Sequence, residues 1–137
     1  MQEKIYRILD ANLNRSSEGL RVVEDLVRFV LEDERLSKEL KELRHKTREE
    51  VKSLIPDYLE LLKSRDSEKD VGKESSFIEE ERQNLKQVLA ANMRRTEESL
   101  RVLEEFAKVI NSQVGRIFKE IRFKVYSLEK EIGEELG

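Results

Sequence analysis

One stretch near the start of this chain is written twice, and that repetition limits the possible folds more than any other feature. Leu9-Asp10-Ala11-Asn12-Leu13-Asn14-Arg15-Ser16-Ser17-Glu18-Gly19-Leu20-Arg21-Val22-Val23-Glu24-Asp25 returns 80 positions later as Leu89-Ala90-Ala91-Asn92-Met93-Arg94-Arg95-Thr96-Glu97-Glu98-Ser99-Leu100-Arg101-Val102-Leu103-Glu104-Glu105. Identity falls on polar pairs such as Asn12/Asn92, Arg15/Arg95, Glu18/Glu98, Arg21/Arg101 and Glu24/Glu104 as well as on Leu9/Leu89, Leu20/Leu100 and Val22/Val102. Helical periodicity alone would repeat Leu and Val, not Asn-x-x-Arg-x-x-Glu. The chain reads as two copies of one helical unit.

Apolar residues from Ile5 to Leu31 fall at helical spacing and predict one long first helix, with Val30 and Leu31 on its inner face. Asp33 is placed to cap a second helix, whose inner stripe is Leu36, Leu40, Leu43, Thr47, Val51 and Leu54. Pro56 ends it, since proline lacks the donor and restricts the residue before it, and Asp57-Tyr58-Leu59-Glu60-Leu61-Leu62 adds a turn or two. A polar loop follows. Ser76-Phe77-Ile78-Glu79 reads as a capping box opening a third helix that runs to about Asn111. The fourth turns Val114, Ile117, Phe118, Ile121, Val125, Leu128 and Ile132 inward, and its Phe118-Lys119-Glu120-Ile121-Arg122 echoes Leu40-Lys41-Glu42-Leu43-Arg44. The predicted fold is all-α: a four-helix bundle made of two repeated hairpins with pseudo-twofold symmetry. Residues 1–137 form a single helical domain, with hairpin repeat 1 at about 4–64, a loop at 65–75 and hairpin repeat 2 at about 76–135.

Asp and Glu number 30 against 27 Lys and Arg, a net charge of −3 that offers no basic footprint for nucleic acid. Cys is absent, which removes disulfides, thiolate metal sites and a cysteine nucleophile. No apolar run approaches the roughly 20 residues of a membrane span. The start Met1-Gln2-Glu3-Lys4 is no signal peptide, so a soluble, cytoplasmic protein is expected.

Several polar side chains fall on the apolar arc of the repeated helix: Asn12 and Ser16 beside Gly19, with Arg15 at the margin, and Asn92, Thr96, Ser99 and Arg95 at matching angles. Either the asparagines bond to each other or to backbone and set register, or they line a polar pocket suited to a pyrimidine edge or a phosphate. Glu18, Arg21, Glu24 and Asp25 are spaced as a surface ion lattice, with Glu24 and Glu104 nearest the arc. Arg44 and Arg122 are expected in solvent, His45 in packing, and Tyr6, Tyr58 and Tyr126 as core or rim aromatics. In the loop at 65–73, Arg65 and Lys69 suit phosphate, Asp66 and Asp70 suit Mg²⁺, and Gly72 permits close backbone approach. Neither GxxxxGK[ST] nor GxGxxG occurs.

Ile8-Leu9-Asp10-Ala11-Asn12-Leu13-Asn14-Arg15 with Glu18-Gly19-Leu20-Arg21-Val22-Val23-Glu24-Asp25, then Leu43-Arg44-His45, Arg65-Asp66 with Asp70-Val71-Gly72, and the second copy with Arg122-Phe123-Lys124-Val125-Tyr126 together resemble a known domain. It is the helical domain that precedes thiamine-phosphate synthase in some bacterial fusion proteins, assigned as an alternative hydroxymethylpyrimidine-phosphate kinase. The likeness covers nearly the whole chain; Lys73 stands where the family often has Thr. A stand-alone domain is expected, because 137 residues cannot also hold a TIM barrel of roughly 250, and synthase chemistry is then absent.

The resemblance implies a small-molecule kinase of thiamine biosynthesis using ATP and Mg²⁺. Asp66 and Asp70 would be its catalytic and metal-holding residues; Arg65, Arg15 and Arg95 would clamp phosphate and Asn12 and Asn92 the pyrimidine. The other class left open is a non-catalytic assembly or channelling module that partners thiamine-phosphate synthase. A homo-oligomer is compatible with either. Because the 65–73 loop follows only the first hairpin, one functional site per chain is expected.

Overall fold

The computed structural model describes residues 1–63, 65 and 81–137, and in these residues it is all-helical, with no strand. Helix α1 spans Gln2–Asp25 and runs without a break into a π-helical turn, Leu26–Leu31. The other helices are α2 (Glu34–Leu54), α3 (Tyr58–Lys63), α4 (Leu85–Ile110) and α5 (Ser112–Leu136). Five helices are therefore described, because the turns after Pro56 form an element of their own.

Local signals account for most boundaries. The Asp33 side chain accepts the Leu36 N–H at 2.9 Å and caps α2 as expected. Ile55 is extended (φ −111°, ψ 110°), as a residue before proline must be, and α2 stops there. Asn111 serves twice: its N–H closes α4 on the Ala107 carbonyl, and its side chain accepts the first N–H groups of α5. The start of α4 departs from expectation, since residues 81–84 are non-helical and Asn84 is the N-cap. The Ser76–Glu79 box lies outside the described residues.

The π turn corrects the end of the first helix. Its last turn holds an extra residue, so the inward face slips by one position. Val27 stays buried, while Phe29 and Val30 are exposed and Leu31 is half-buried. Glu32 then ends the element in the left-handed region (φ 52°).

Ion pairs and packing contacts give the helix directions. Glu24 meets Arg44 and Asp10 meets Tyr58, so α1 and α2 are antiparallel. Glu104 meets Arg122, and Leu89 lies against Gly133, so α4 and α5 are too. Arg35 at the start of α2 pairs with Glu131 near the end of α5, which places the start of α4 beside the end of α1. Helices α1 and α4 thus run antiparallel through the middle. They touch at Gly19, where an added Cβ would sit 2.7 Å from the Asn92 carbonyl oxygen and would also clash with Thr96 Oγ1. All six residues of the α2 stripe are buried, as are the α5 stripe residues apart from half-buried Ile117. With Leu9, Leu20, Val23, Met93, Leu100 and Leu103 they make one continuous core.

Candidate functional site

Pro56 turns the chain at the foot of α2 so that Tyr58, the first residue of α3, reaches the first half of α1. There the structure buries a carboxylate that the sequence reading passed over. Asp10 is only 4% exposed. Its Oδ1 accepts the Tyr58 hydroxyl at 2.8 Å, and its Oδ2 accepts Arg65 Nε at 2.6 Å. Arg65 Nη2 also donates to Oδ1, completing a bidentate fork of the kind that planar guanidinium and carboxylate groups favour. A buried carboxylate is costly unless paired and hydrogen-bonded, and here both conditions are met.

The corner is cationic beyond the needs of Asp10. Lys52 Nζ lies over the Tyr58 ring, 5.3 Å from its centroid, and Arg48 adds positive charge toward the same hydroxyl. Burial, then the hydrogen bond and charge of Asp10, push the Tyr58 hydroxyl above its ordinary value, against the pull of Arg65 and Arg48. The hydrogen bond to Asp10 likewise holds Arg65 more firmly protonated than usual. Arg65 on the carboxylate, with Lys52 and Arg48 directed at the Tyr58 that shares it, suits an added anion, and a guanidinium fork with an ammonium suits phosphate.

The polar faces of the repeated helices are satisfied inside their own helices. Asn12 is buried and donates from Nδ2 to the Ile8 carbonyl at 2.9 Å; half-buried Asn92 makes the same bond to Val88 at 2.8 Å. Ser16, Thr96 and Ser99 each bond a carbonyl three or four residues back. Arg15 reaches Asn12 Oδ1 at 3.4 Å, and Arg95 crosses to Glu18 at 3.2 Å. Asn92 lies level with Gly19, seven residues beyond Asn12, so the two asparagines stand about 10 Å apart along α1. Asn12 and Arg15 are brought together, but the two copies are not joined in one cluster. Asp66 and Asp70 lie outside the described residues, and among those described no group of three or more His, Cys, Asp or Glu is arranged to hold a metal ion.

Two expectations are overturned. Arg44 and Arg122 are not in solvent: Arg44 Nε donates to buried Glu24 at 3.1 Å, and Arg122 Nη2 to buried Glu104 at 2.9 Å. A carboxylate at the edge of an apolar arc must be neutralised once its partner helix closes over it, and the nearest cation follows it in. Burial works to raise the Glu104 carboxyl, but hydrogen bonds from Arg122 and Lys108 hold it below its ordinary value. His45 is exposed rather than packed, as is Phe123, its counterpart.

Asp10 was legible after all. It is an acid beside Leu9 and Leu13 on an apolar arc, at a position the second copy fills with Ala90. The matching stretch of α4 is instead an open groove of about 220 Å³ lined by Glu81, Arg82, Gln87, Ala90, Ala91 and Arg94. No helix among those described is long and apolar enough to cross a membrane.

The profile of the ThiD2 family matches residues 7–131. The chain belongs to the ThiD2 family. Among the relatives of this ThiD2-family chain, the thiamine-phosphate synthase of Nostoc punctiforme is 44% identical over 133 residues, covering 96% of this chain and 36% of that protein. The thiamine-phosphate synthase of a Synechocystis species is 43% identical over 127 residues, covering 91% and 35%. That of Rhodopirellula baltica is 37% identical over 129 residues, covering 93% and 34%. The ThiD2-family chain spans about a third of the length of the curated relatives it matches. No solved structure matches it.

Proposed function

We propose that this ThiD2-family domain acts in thiamine biosynthesis by transferring the γ-phosphoryl group of ATP to hydroxymethylpyrimidine phosphate. The observation that carries the reading is the Asp10–Tyr58–Arg65 corner, a fixed guanidinium whose partner Tyr58 is met by Lys52 and Arg48, next in the sequence to Asp66. In this transfer the bond between the γ-phosphorus and its bridging oxygen to ADP breaks, and a substrate phosphate oxygen forms the new P–O bond. The attacking oxygen is already an anion, so no general base is needed. Positioning and charge neutralisation then supply most of the catalysis. Arg65 would clamp phosphate, and either Asn12 with Arg15 or Asn92 with Arg95, which lie on separate stretches, would meet the pyrimidine end of the substrate. An oxygen-only pair of aspartates four positions apart in the sequence suits Mg²⁺, which would neutralise nucleotide phosphate charge there. The matched asparagine bonds and the matched Glu24–Arg44 and Glu104–Arg122 pairs support reading the hairpins as repeats about a pseudo-twofold axis between Ser17 and Glu97, within a single domain.

The test is direct: purified protein, ATP, Mg²⁺ and hydroxymethylpyrimidine phosphate, with ADP and the diphosphate product followed by phosphorus NMR. Stoichiometric appearance of both is expected; no product at any enzyme concentration would sink the reading. A second reading, a non-catalytic module that partners thiamine-phosphate synthase, is favoured by one observation: each relative named above carries that name and extends well beyond the matched part. It predicts that the domain alters synthase turnover when added in trans while turning over no ATP.

A further inference from the structure

We propose that Asp10 is a positioning residue: it holds Arg65, with Tyr58, as a preset fork whose free edge receives a phosphate group of the substrate. The proposal rests on the reading of this corner as a phosphate site. Four observations lead to it. First, the position matched to buried Asp10 in the second copy is Ala90, which is exposed and carries no acid, so the acid belongs to this corner and not to the shared helix pattern. Second, the buried carboxylate is used entirely on two side chains beyond Pro56, Tyr58 and Arg65. Third, Asp10 engages Arg65 through Nε and Nη2, and no hydrogen bond to Nη1 is present among the described residues. The Arg65 side chain is 42% exposed while that of Asp10 is 6% exposed, so the fork is anchored on its protein side and open on the other. Fourth, two further cations act on Tyr58, the group that shares Asp10 with Arg65: Lys52 Nζ lies 5.3 Å from its ring centroid and Arg48 pulls on its hydroxyl.

A free arginine loses much rotamer freedom when it clamps an anion; one already held by a carboxylate has lost that freedom on folding. Bidentate pairing also fixes the guanidinium plane, which a lysine at the same place could not do. Tyr58 completes the set. Its hydroxyl donates to Oδ1, and Arg65 Nη2 donates in turn to that hydroxyl at 3.4 Å, so the three groups lock one another. The ligand class is a phosphate monoester or diphosphate, whose tetrahedral oxygens can take Nη1 together with an ammonium.

The experiment uses the whole chain and inorganic pyrophosphate as the probe. In ¹H–¹⁵N spectra of arginine side chains, Arg65 is expected to give one slowly exchanging Nε–H signal, assigned by its loss in Arg65→Lys, and pyrophosphate should move it. Asp10→Ala copies the residue of the second repeat. It should keep the helical circular dichroism and melt within a few degrees of the parent, yet lose the protected signal and weaken pyrophosphate binding at least tenfold. Tyr58→Phe should give an intermediate loss. If turnover is present, Asp10→Ala should raise KM for the phosphorylated substrate far more than it lowers kcat. Unchanged pyrophosphate affinity in a folded Asp10→Ala protein would overturn the proposal, as would a parent protein whose Arg65 signal ignores pyrophosphate. If Asp10→Ala does not fold, Asp10→Asn, which keeps the shape and removes the charge, takes its place with the same expected losses. Absence of kinase turnover with the pyrophosphate response intact would defeat the functional reading and leave this inference standing.

Discussion

At the residue scale, Gly19 shows how one side chain, or its absence, sets the distance between two helices. The Asn92 carbonyl oxygen is backbone and cannot swing aside, so a methyl group at Gly19 must push α1 and α4 apart. Gly19→Ala should destabilise by about 1–3 kcal/mol in urea unfolding, although alanine is the better helix former. By contrast, a methyl at Gly115 meets chiefly the flexible Lys108 side chain, and Gly115→Ala should cost less. A stability gain in Gly19→Ala would mean that the close approach is not there. The sequence shows a glycine on the apolar arc; it does not show that a carbonyl of the other copy lies beneath it.

At the element scale, two features of the helices carry opposite or unexpected signs. Glu104, held below its ordinary value of 4.5 by Arg122 and Lys108, contributes stability above that pH and loses it as the pH falls through its folded value. Glu97 does the reverse. Burial, and then the hydrogen bond and charge of the facing Glu129 carboxyl on α5, push it up to about 8. Its contribution is whole below pH 4.5, declines as the pH rises, and is gone above about 8. Glu97→Gln should therefore raise the melting temperature at pH 9 and leave it little changed at pH 4; an equal shift at both would show that the carboxyl pair does not share a proton. The π turn adds a separate prediction. Glu32 occupies left-handed backbone at φ 52°, where glycine is at ease, so Glu32→Gly should stabilise by roughly 0.5–1 kcal/mol, about 2–4 °C in Tm. A loss would show that the Glu32 side chain makes a contact worth more than the strain.

At the scale of the whole molecule, two stretches of matching sequence produce one distinct corner, because Asp10, which holds Tyr58 and Arg65, has Ala90 as its counterpart. A single Mg²⁺–nucleotide should bind per chain in calorimetry, and Asp66→Asn or Asp70→Asn should abolish turnover while changing stability by no more than about 0.5 kcal/mol. Two equivalent sites per chain would contradict the asymmetry. A large fall in Tm would make the aspartates structural.

The all-helical content, the inner stripes of α2 and α5, the Asp33 cap and the stop at Pro56 were determined by sequence alone, since each depends on residues within a turn or two of one another. What only the tertiary structure decided is which polar groups the helices close over. Whether Arg44 and Arg122 stay in water depends on carboxylates 20 and 18 residues away, on a neighbouring helix. Whether Tyr58 is a rim aromatic or a ligand of Asp10 depends on where α3 lands, 48 residues along the chain. Burial is a property of the assembled helices, and a buried charge chooses its partner by proximity in space, which spacing along one helix does not record.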